Sequence, residues 1–417
     1  MKVLKIKGQN ELTGSIKISG AKNSAVALIP ATILSDEVTT IYNVPDITDI
    51  KALSEILEYL GAKVTREEET ITIDSKNIIN KTISEEHSTK LRASYYFLGA
   101  LLGKYKKAEM YFPGGCSIGA RPINLHLKGF EALGAKVTSK GNCYKVEAEE
   151  LKGAEIYLDI ASVGATINIM LAATKAKGTT IIDNAAKEPE IVNIATLLNN
   201  MGAKIKGAGT PTITIEGVES LHGCFHEVIP DRIEAGTYVI AGALCGKDLK
   251  IENIIPKHIE SLTSKLKDMN CNLKIGTDYI VVSKSDKYKA SNVKTLVYPG
   301  FPTDLQQPLT ILMTQATGIS KVKETIWENR FMHIPYLNEM GCDITVKDET
   351  AIIKGPTPLK GARIKATDLR AGAAMVLAGL IADGETTIEN VNHILRGYEN
   401  IVEKLQKAGA NIELKEI

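Results

Sequence analysis

Apolar positions recur along the chain in two alternating patterns. One is amphipathic: Ile50, Leu53, Ile56, Leu57 and Leu60, or Ile259, Leu262, Leu266 and Met269, are mostly three or four residues apart, the spacing of one helical face. The other is apolar on nearly every side. It spans residues 25–34, 93–102, 165–173, 236–244, 308–316 and 371–381, and predicts helices buried all round. A turn and a β-branched run follow, as in Thr39-Thr-Ile-Tyr42, Thr179-Thr-Ile-Ile182 and Thr386-Thr-Ile-Glu389, which read as strands.

The amphipathic helices end on a recurring motif. Leu60-Gly-Ala-Lys-Val64, Leu133-Gly-Ala-Lys-Val137, Met201-Gly-Ala-Lys-Ile205, Met269-Asn-Cys-Asn-Leu273, Met340-Gly-Cys-Asp-Ile344 and Ala408-Gly-Ala-Asn-Ile412 follow one another at intervals of roughly 70 residues. The Gly or Asn in second place suits a left-handed helix C-cap. Each unit thus reads strand, helix, strand, helix, strand, strand, and six units fill the chain. Such a unit is too long for a solenoid repeat and suits compact α/β subdomains, three to each of two domains.

Composition changes this picture little, but it narrows the partners. Of the 417 residues, 50 are Lys or Arg and 49 Asp or Glu, so no global basic field would recruit nucleic acid or an anionic membrane, and any anion site must be local. Neither a signal-peptide core nor a membrane-spanning run is present, and a cytosolic location is expected. The six cysteines lack paired spacing and read as reduced thiols. His222-Gly-Cys-Phe-His226 lacks a fourth metal partner and reads as a turn entering a strand.

The candidate chemistry lies just before the apolar helices. There stand Lys22-Asn23, Lys90-Leu-Arg92, Ser162-Val-Gly164, Asp231-Arg-Ile-Glu234, Pro302-Thr-Asp304 and Asp368-Leu-Arg370. Capping of orphan N–H groups accounts for about half of these stations. It does not account for Lys22, Arg92 or Arg370, since a cation at a helix N-terminus opposes the macrodipole unless an anion binds beside it. Arg121, Arg330 and Arg396 add guanidinium groups in loops, suited to carboxylate or phosphate. Cys116 sits in Pro113-Gly-Gly-Cys-Ser-Ile-Gly-Ala-Arg-Pro122, a glycine-rich stretch able to hinge, where a thiol near Arg121 could act as nucleophile or acid.

These motifs resemble a known family over the full chain. Gly20-Ala-Lys-Asn-Ser24, Leu91-Arg-Ala-Ser94, the Cys116 loop, Ser162-Val-Gly-Ala-Thr166, Glu188-Pro-Glu-Ile191, Pro230-Asp-Arg-Ile-Glu234, Phe301-Pro-Thr-Asp304, Glu328-Asn-Arg-Phe-Met-His333, Thr367-Asp-Leu-Arg370 and Arg396-Gly-Tyr398 are similar, in order, to those of the UDP-N-acetylglucosamine 1-carboxyvinyltransferases. The resemblance implies an α/β fold of two inside-out barrel domains, each a pseudo-threefold of the βαβαββ unit, with residues 22–229 forming one and residues 1–21 plus 230–417 the other. It places the active site in the cleft between them. It further implies transfer of the enolpyruvyl group of phosphoenolpyruvate to the 3'-hydroxyl of UDP-N-acetylglucosamine, with release of phosphate, as the first committed step of peptidoglycan synthesis.

Carried over by motif, Asp304 is the base near the hydroxyl and Cys116 protonates the methylene carbon. Lys22, Arg121 and Arg396 hold phosphate, and Arg330 and Arg370 clamp the carboxylate. Asn23, Arg92, Pro122, Ile123, Asn124, Leu125, Ser162, Val163, Gly164 and Ile326 line the UDP-sugar site. The family's cysteine is the target of fosfomycin, and the scheme requires no metal or organic cofactor. Small-molecule substrates, no nucleic acid, no membrane and a monomer are expected. Asn124, Ile160 and Tyr96 depart from many relatives, which carry Asp, a basic residue and Trp. Two rivals share the pattern: the shikimate-pathway relative, disfavoured by the Gly-Gly-Cys segment, and a silent UDP-sugar sensor, disfavoured by Lys22, Cys116, Asp304 and Arg396 occurring together.

Overall fold

The computed structural model describes residues 2–112 and 123–416. These divide into two compact units, one of residues 2–19 and 230–416 and the other of residues 20–112 and 123–229. The chain passes from one to the other at Ser19/Gly20 and again at Ile229/Pro230.

All six apolar helices are present. In the unit containing residues 20–229 they are Lys22–Ala31, Tyr96–Tyr105 and Val163–Ala173; in the other they are Arg232–Cys245, Thr303–Thr314 and Leu369–Ile381. Most begin several residues before the apolar run, because the first turn carries the polar station described above. The fifth also runs through Pro308, which the hydropathy pattern places at its start. Proline there removes one N–H to a carbonyl four residues back, a local loss that the surrounding burial outweighs. Within each unit these helices pack on one another: Tyr96–Tyr105 touches both of its companions, and the three of the other unit touch pairwise. Their side chains make up the centre of each unit's hydrophobic core.

Among the described residues six separate open sheets carry the strands, three to a unit. Within those residues none of these sheets closes on itself, so the expected barrels are not closed sheets. In five of the six sheets the strand after the apolar helix joins an antiparallel hairpin on one side and a parallel strand on the other; in the sixth, Glu385–Glu389 joins instead the antiparallel pair formed by Lys2–Lys7 and Ile412–Glu416. The parallel pairs are Phe225–Glu227 with Val38–Tyr42, Glu155–Tyr157 with Thr179–Asp183, Ser15–Lys17 with Leu249–Glu252, both Tyr288–Lys289 and Asn292–Lys294 with Ala316–Lys323, and Arg363–Lys365 with Glu385–Glu389. In the second repeat the parallel strand shrinks to a single bridge, Ile83 to Met110.

Two backbone stations confirm the sixfold repeat. Gly61, Gly134, Gly202, Asn270, Gly341 and Gly409 all take positive φ, between 68° and 107°, at the end of the amphipathic helices. Asn43, Asn184, Asn253 and Asn390 take φ of 55–60° after the following strand. Three of these amides also donate to the parallel neighbour: Asn43 to Val228 O, Asn184 to Leu158 O and Asn253 to Ile18 O. Among the described residues no helix is long and apolar enough to cross a membrane.

Candidate active site

The unit that includes residues 230–416 gathers four charged side chains at two helix N-termini. Asp304 is the second residue of Thr303–Thr314, and Arg370 the second of Leu369–Ile381. Arg330 Nη2 donates to Asp304 Oδ1 at 2.6 Å, and Arg370 Nε donates to Oδ2 at 3.3 Å. Both arginine side chains are almost wholly buried, whereas Asp304 keeps 26% of its side chain exposed. Asp368 completes the group. Its Oδ1 caps the second helix by accepting from Arg370 N and Ala371 N, and its Oδ2 accepts from Gln307 Nε2 at 3.1 Å. Arg330 Nη1 lies 3.9 Å from that carboxylate.

Such packing keeps the Arg370 guanidinium charged. Burial alone would lower the Arg370 pKa, but Tyr398, Asp304 and Asp231 outweigh it, and the net shift is upward. The Arg370 guanidinium lies 5.3 Å above the Tyr398 ring, whose hydroxyl is 2.9 Å from Thr237 Oγ1. Arg370 Nη1 and Arg330 Nε are buried without a hydrogen-bond partner among the described residues. A buried donor left unpaired is costly, so these atoms suit an incoming acceptor.

The other unit presents a cation and a polar wall. Lys22 opens its helix after Ala21, which gives no side-chain cap, and its Nζ stands 2.9 Å from Asp49 Oδ2. Asp49 is buried in the first turn of Thr48–Leu60. Asn23 follows, half-buried. Ser162 caps Val163–Ala173 by accepting from Ala165 N at 3.2 Å. Gly164 sits behind it, and a Cβ there would come within 2.9 Å of His126 Cε1 and 3.0 Å of Tyr95 Oη.

His126 is locked by an amide. Asn168 Oδ1 accepts from Gly99 N, so its Nδ2 faces His126 Nδ1 and donates to it at 2.8 Å, leaving the ring proton on Nε2. Burial, aided by the Arg92 charge, pushes the His126 pKa down to about 3. Arg92 lies in the turn before Tyr96–Tyr105, with its guanidinium 5.9 Å from the Phe112 ring centre. Ile123, Asn124 and Leu125 start the helix of residues 124–132, with Ile123 buried and Asn124 exposed. Ile160 is 66% exposed, while Tyr96 is packed into the core.

Capping thus explains Ser162, Asp231 and Asp368, half of the six stations, and the remaining three lack a side-chain cap. Asp304, Arg330 and Arg370 come together. Arg396 ends the short Asn392–Leu395 helix, and Ile326 lies between Glu324 and Arg330 in sequence. Cys116, Arg121 and Pro122 lie outside the described residues. Sequence reasoning missed two partners, Asp49 and the side-chain contact of Asp368 with Gln307. An acidic residue in a first turn, like Asp49, reads equally well as a helix-dipole complement, and one at an N-cap, like Asp368, as a cap alone, so neither contact stood out.

The EPSP synthase (3-phosphoshikimate 1-carboxyvinyltransferase) family matches residues 6–405. UDP-N-acetylglucosamine 1-carboxyvinyltransferase 2 of Bacillus cereus is 55% identical over 413 residues, covering 99% of this chain and 96% of its own. The chain belongs to this family of carboxyvinyltransferases. The protein of the same name from Listeria monocytogenes is 54% identical over 407 residues, 98% of this chain and 96% of its own. Among solved structures, the enolpyruvyl transferase NikO of Streptomyces tendae superposes with a TM-score of 0.90 at 28% identity over 99% of each chain. EPSP synthase of Acinetobacter baumannii shares the fold, with a TM-score of 0.78 at 20% identity over the whole of both chains. In the described residues of the two units, two arginines meet around Asp304 and a lysine stands at a helix start.

Proposed function

We propose that this chain transfers the enolpyruvyl group of phosphoenolpyruvate to the 3'-hydroxyl of UDP-N-acetylglucosamine, releasing phosphate, in peptidoglycan precursor synthesis in the cytoplasm. The identity of 55% over 99% of the chain to a protein named for that reaction carries the reading.

The residues supply the parts the reaction needs. Asp304 takes the proton of the sugar hydroxyl as its oxygen bonds to C2 of phosphoenolpyruvate, and the Cys116 thiol delivers a proton to C3. The resulting tetrahedral ketal then loses a C3 proton and expels phosphate, leaving an enol ether. Two anions must be neutralised before an alcohol can approach. Arg330 and Arg370 are suited to the carboxylate, since each has a buried donor atom to offer. Lys22, Arg121 and Arg396 hold the phosphate. Asn23, Arg92, Pro122, Ile123, Asn124, Leu125, Ser162, Val163, Gly164 and Ile326 are assigned to the UDP-sugar.

Asp304 meets the same two arginines that are assigned to the substrate carboxylate. Binding of phosphoenolpyruvate would draw donor atoms from Asp304 and turn its carboxylate towards the hydroxyl. Base and carboxylate clamp thereby become parts of one switchable pair. Phosphate release, measured with phosphoenolpyruvate plus either UDP-N-acetylglucosamine or shikimate 3-phosphate and with product mass detected, tests the reading. Turnover with the UDP-sugar alone is expected. Turnover with shikimate 3-phosphate alone would overturn the acceptor assignment, and binding of the UDP-sugar without phosphate release would mean a sensor.

A further inference from the structure

Glu324 is a carboxylate that the reaction scheme leaves without a role, yet it is 2% exposed and receives four hydrogen bonds. It follows the strand Ala316–Lys323 and turns back on its own loop. Oε1 accepts from Ile326 N at 2.8 Å, from Trp327 N at 3.4 Å and from Thr295 Oγ1 at 2.8 Å. Oε2 accepts from Thr303 Oγ1 at 2.9 Å. Thr325 closes the same loop, its N–H donating to Thr295 Oγ1 and its hydroxyl to Thr295 O.

The two oxygens therefore reach two different elements. One fixes the backbone of Ile326, assigned above to the UDP-sugar. The other fixes Thr303, the first residue of the helix whose second residue is Asp304. Pro302, which precedes that helix, offers no side-chain cap, and the Thr303 hydroxyl is committed to Glu324 rather than to its own helix. A carboxylate is buried only where its hydrogen bonds are met, and here they span the distance between a wall and a base.

We propose that Glu324 is the positioning residue of the acceptor site, holding the Ile326 loop and the Asp304 helix in register so that the sugar hydroxyl and the base meet. This rests on the function proposed above. A plain structural staple would shift stability and all kinetic constants together. A register device acts on the acceptor and spares phosphoenolpyruvate. Misplacing a reacting group by about an ångström costs up to about a hundredfold in rate.

Full-length E324A, E324Q and T303V are assayed by phosphate release beside the wild-type enzyme, varying each substrate in turn. For E324A, the KM for UDP-N-acetylglucosamine should rise about tenfold and kcat should fall about tenfold, while the KM for phosphoenolpyruvate stays within about twofold. In E324Q the amide oxygen can still take Ile326 N and the amide N–H can donate to Thr303 Oγ1, so most of the loss should be recovered. T303V cuts only the arm to the helix, and should lower kcat several-fold with the KM for the UDP-sugar unchanged. E324A constants within twofold of wild type, equal losses for both substrates, or no recovery in E324Q would each overturn the proposal. If E324A does not fold, an unchanged kcat in T303V overturns it on its own. Failure of the wild-type enzyme to release phosphate would instead defeat the function reading, which separates the two outcomes.

Discussion

Arg330 donates to one oxygen of Asp304 and Arg370 to the other, so a single partly buried carboxylate bridges two buried guanidinium groups. Removing either arginine should act on phosphoenolpyruvate first. Arg370→Ala and Arg330→Ala are expected to raise the KM for phosphoenolpyruvate by about tenfold or more, since a charge-assisted pair is lost. Asp304→Ala should instead lower kcat by about a hundredfold or more, with the phosphoenolpyruvate KM little changed or lower, because the arginines are freed for the substrate. Steady-state kinetics with each substrate varied separates these outcomes. An Asp304→Ala variant with wild-type kcat would remove Asp304 from the chemistry.

The missing side chain of Gly164 is what lets His126 and Tyr95 close behind the Ser162 cap. Gly164→Ala should cost about 1–3 kcal/mol by overpacking, because His126 is pinned by Asn168 and cannot swing away. The melting temperature should drop by several degrees, and the KM for the UDP-sugar should rise if this loop faces it. Thermal unfolding of the variant beside the wild type checks the first, and substrate titration the second.

How much of this was legible in the chain depends on whether the signal is local. The left-handed positions at Gly61 and Asn270 follow from two adjacent residues and a preceding apolar face, so the sixfold unit can be read directly. The helix starts were less legible. Pro308 reads as the first residue of its helix, but the helix begins at Thr303 and runs through it, because burial of Leu305, Leu309 and Leu312 outweighs one missing backbone bond. Cations at helix starts stood out because they oppose the dipole. The acids that answer them, Asp49 for Lys22 and Asp304 for two arginines, are separated from them by 26 or more residues of sequence and become visible only when the helices pack. Glu324 is the extreme case. Nothing in Lys323-Glu-Thr325 distinguishes it from a solvated charge.

The five cysteines among the described residues differ from what an electrophile needs. Burial pushes Cys224 up to about 11 and Cys245, Cys271 and Cys342 up to about 12, and Cys143 is also raised, by burial and by Glu109. A thiol with a raised pKa holds little thiolate at neutral pH and reacts slowly. Stoichiometric fosfomycin should therefore add once, at Cys116, with loss of activity. Intact-mass and peptide analysis checks the site. Activity loss with the adduct elsewhere, or with none, would refute the assignment, and retained turnover in Cys116→Asp would mark the thiol as a replaceable acid.

Three histidines give the protein a predictable acid limit. His126 is pushed down to about 3 by burial and the Arg92 charge, and His226 to about 4 by burial. His333 is pushed to about 4, chiefly by burial, with Arg330 lowering it further and Asp368 opposing. Each is depressed below its unfolded value near 6.5. The unfolded chain therefore binds these protons first, and stability must fall as pH drops from about 6.5 towards 4, at up to about 1.4 kcal/mol per pH unit for each histidine. Above pH 7 these groups contribute no slope. Thermal melts between pH 7.5 and 4.5 should show the decline. His126→Asn should flatten it by the share of one group, because asparagine can still accept from Asn168 without taking up a proton. An unchanged slope in that variant would mean that His126 is protonated in the fold, and that Asn168 Nδ2 is not its partner.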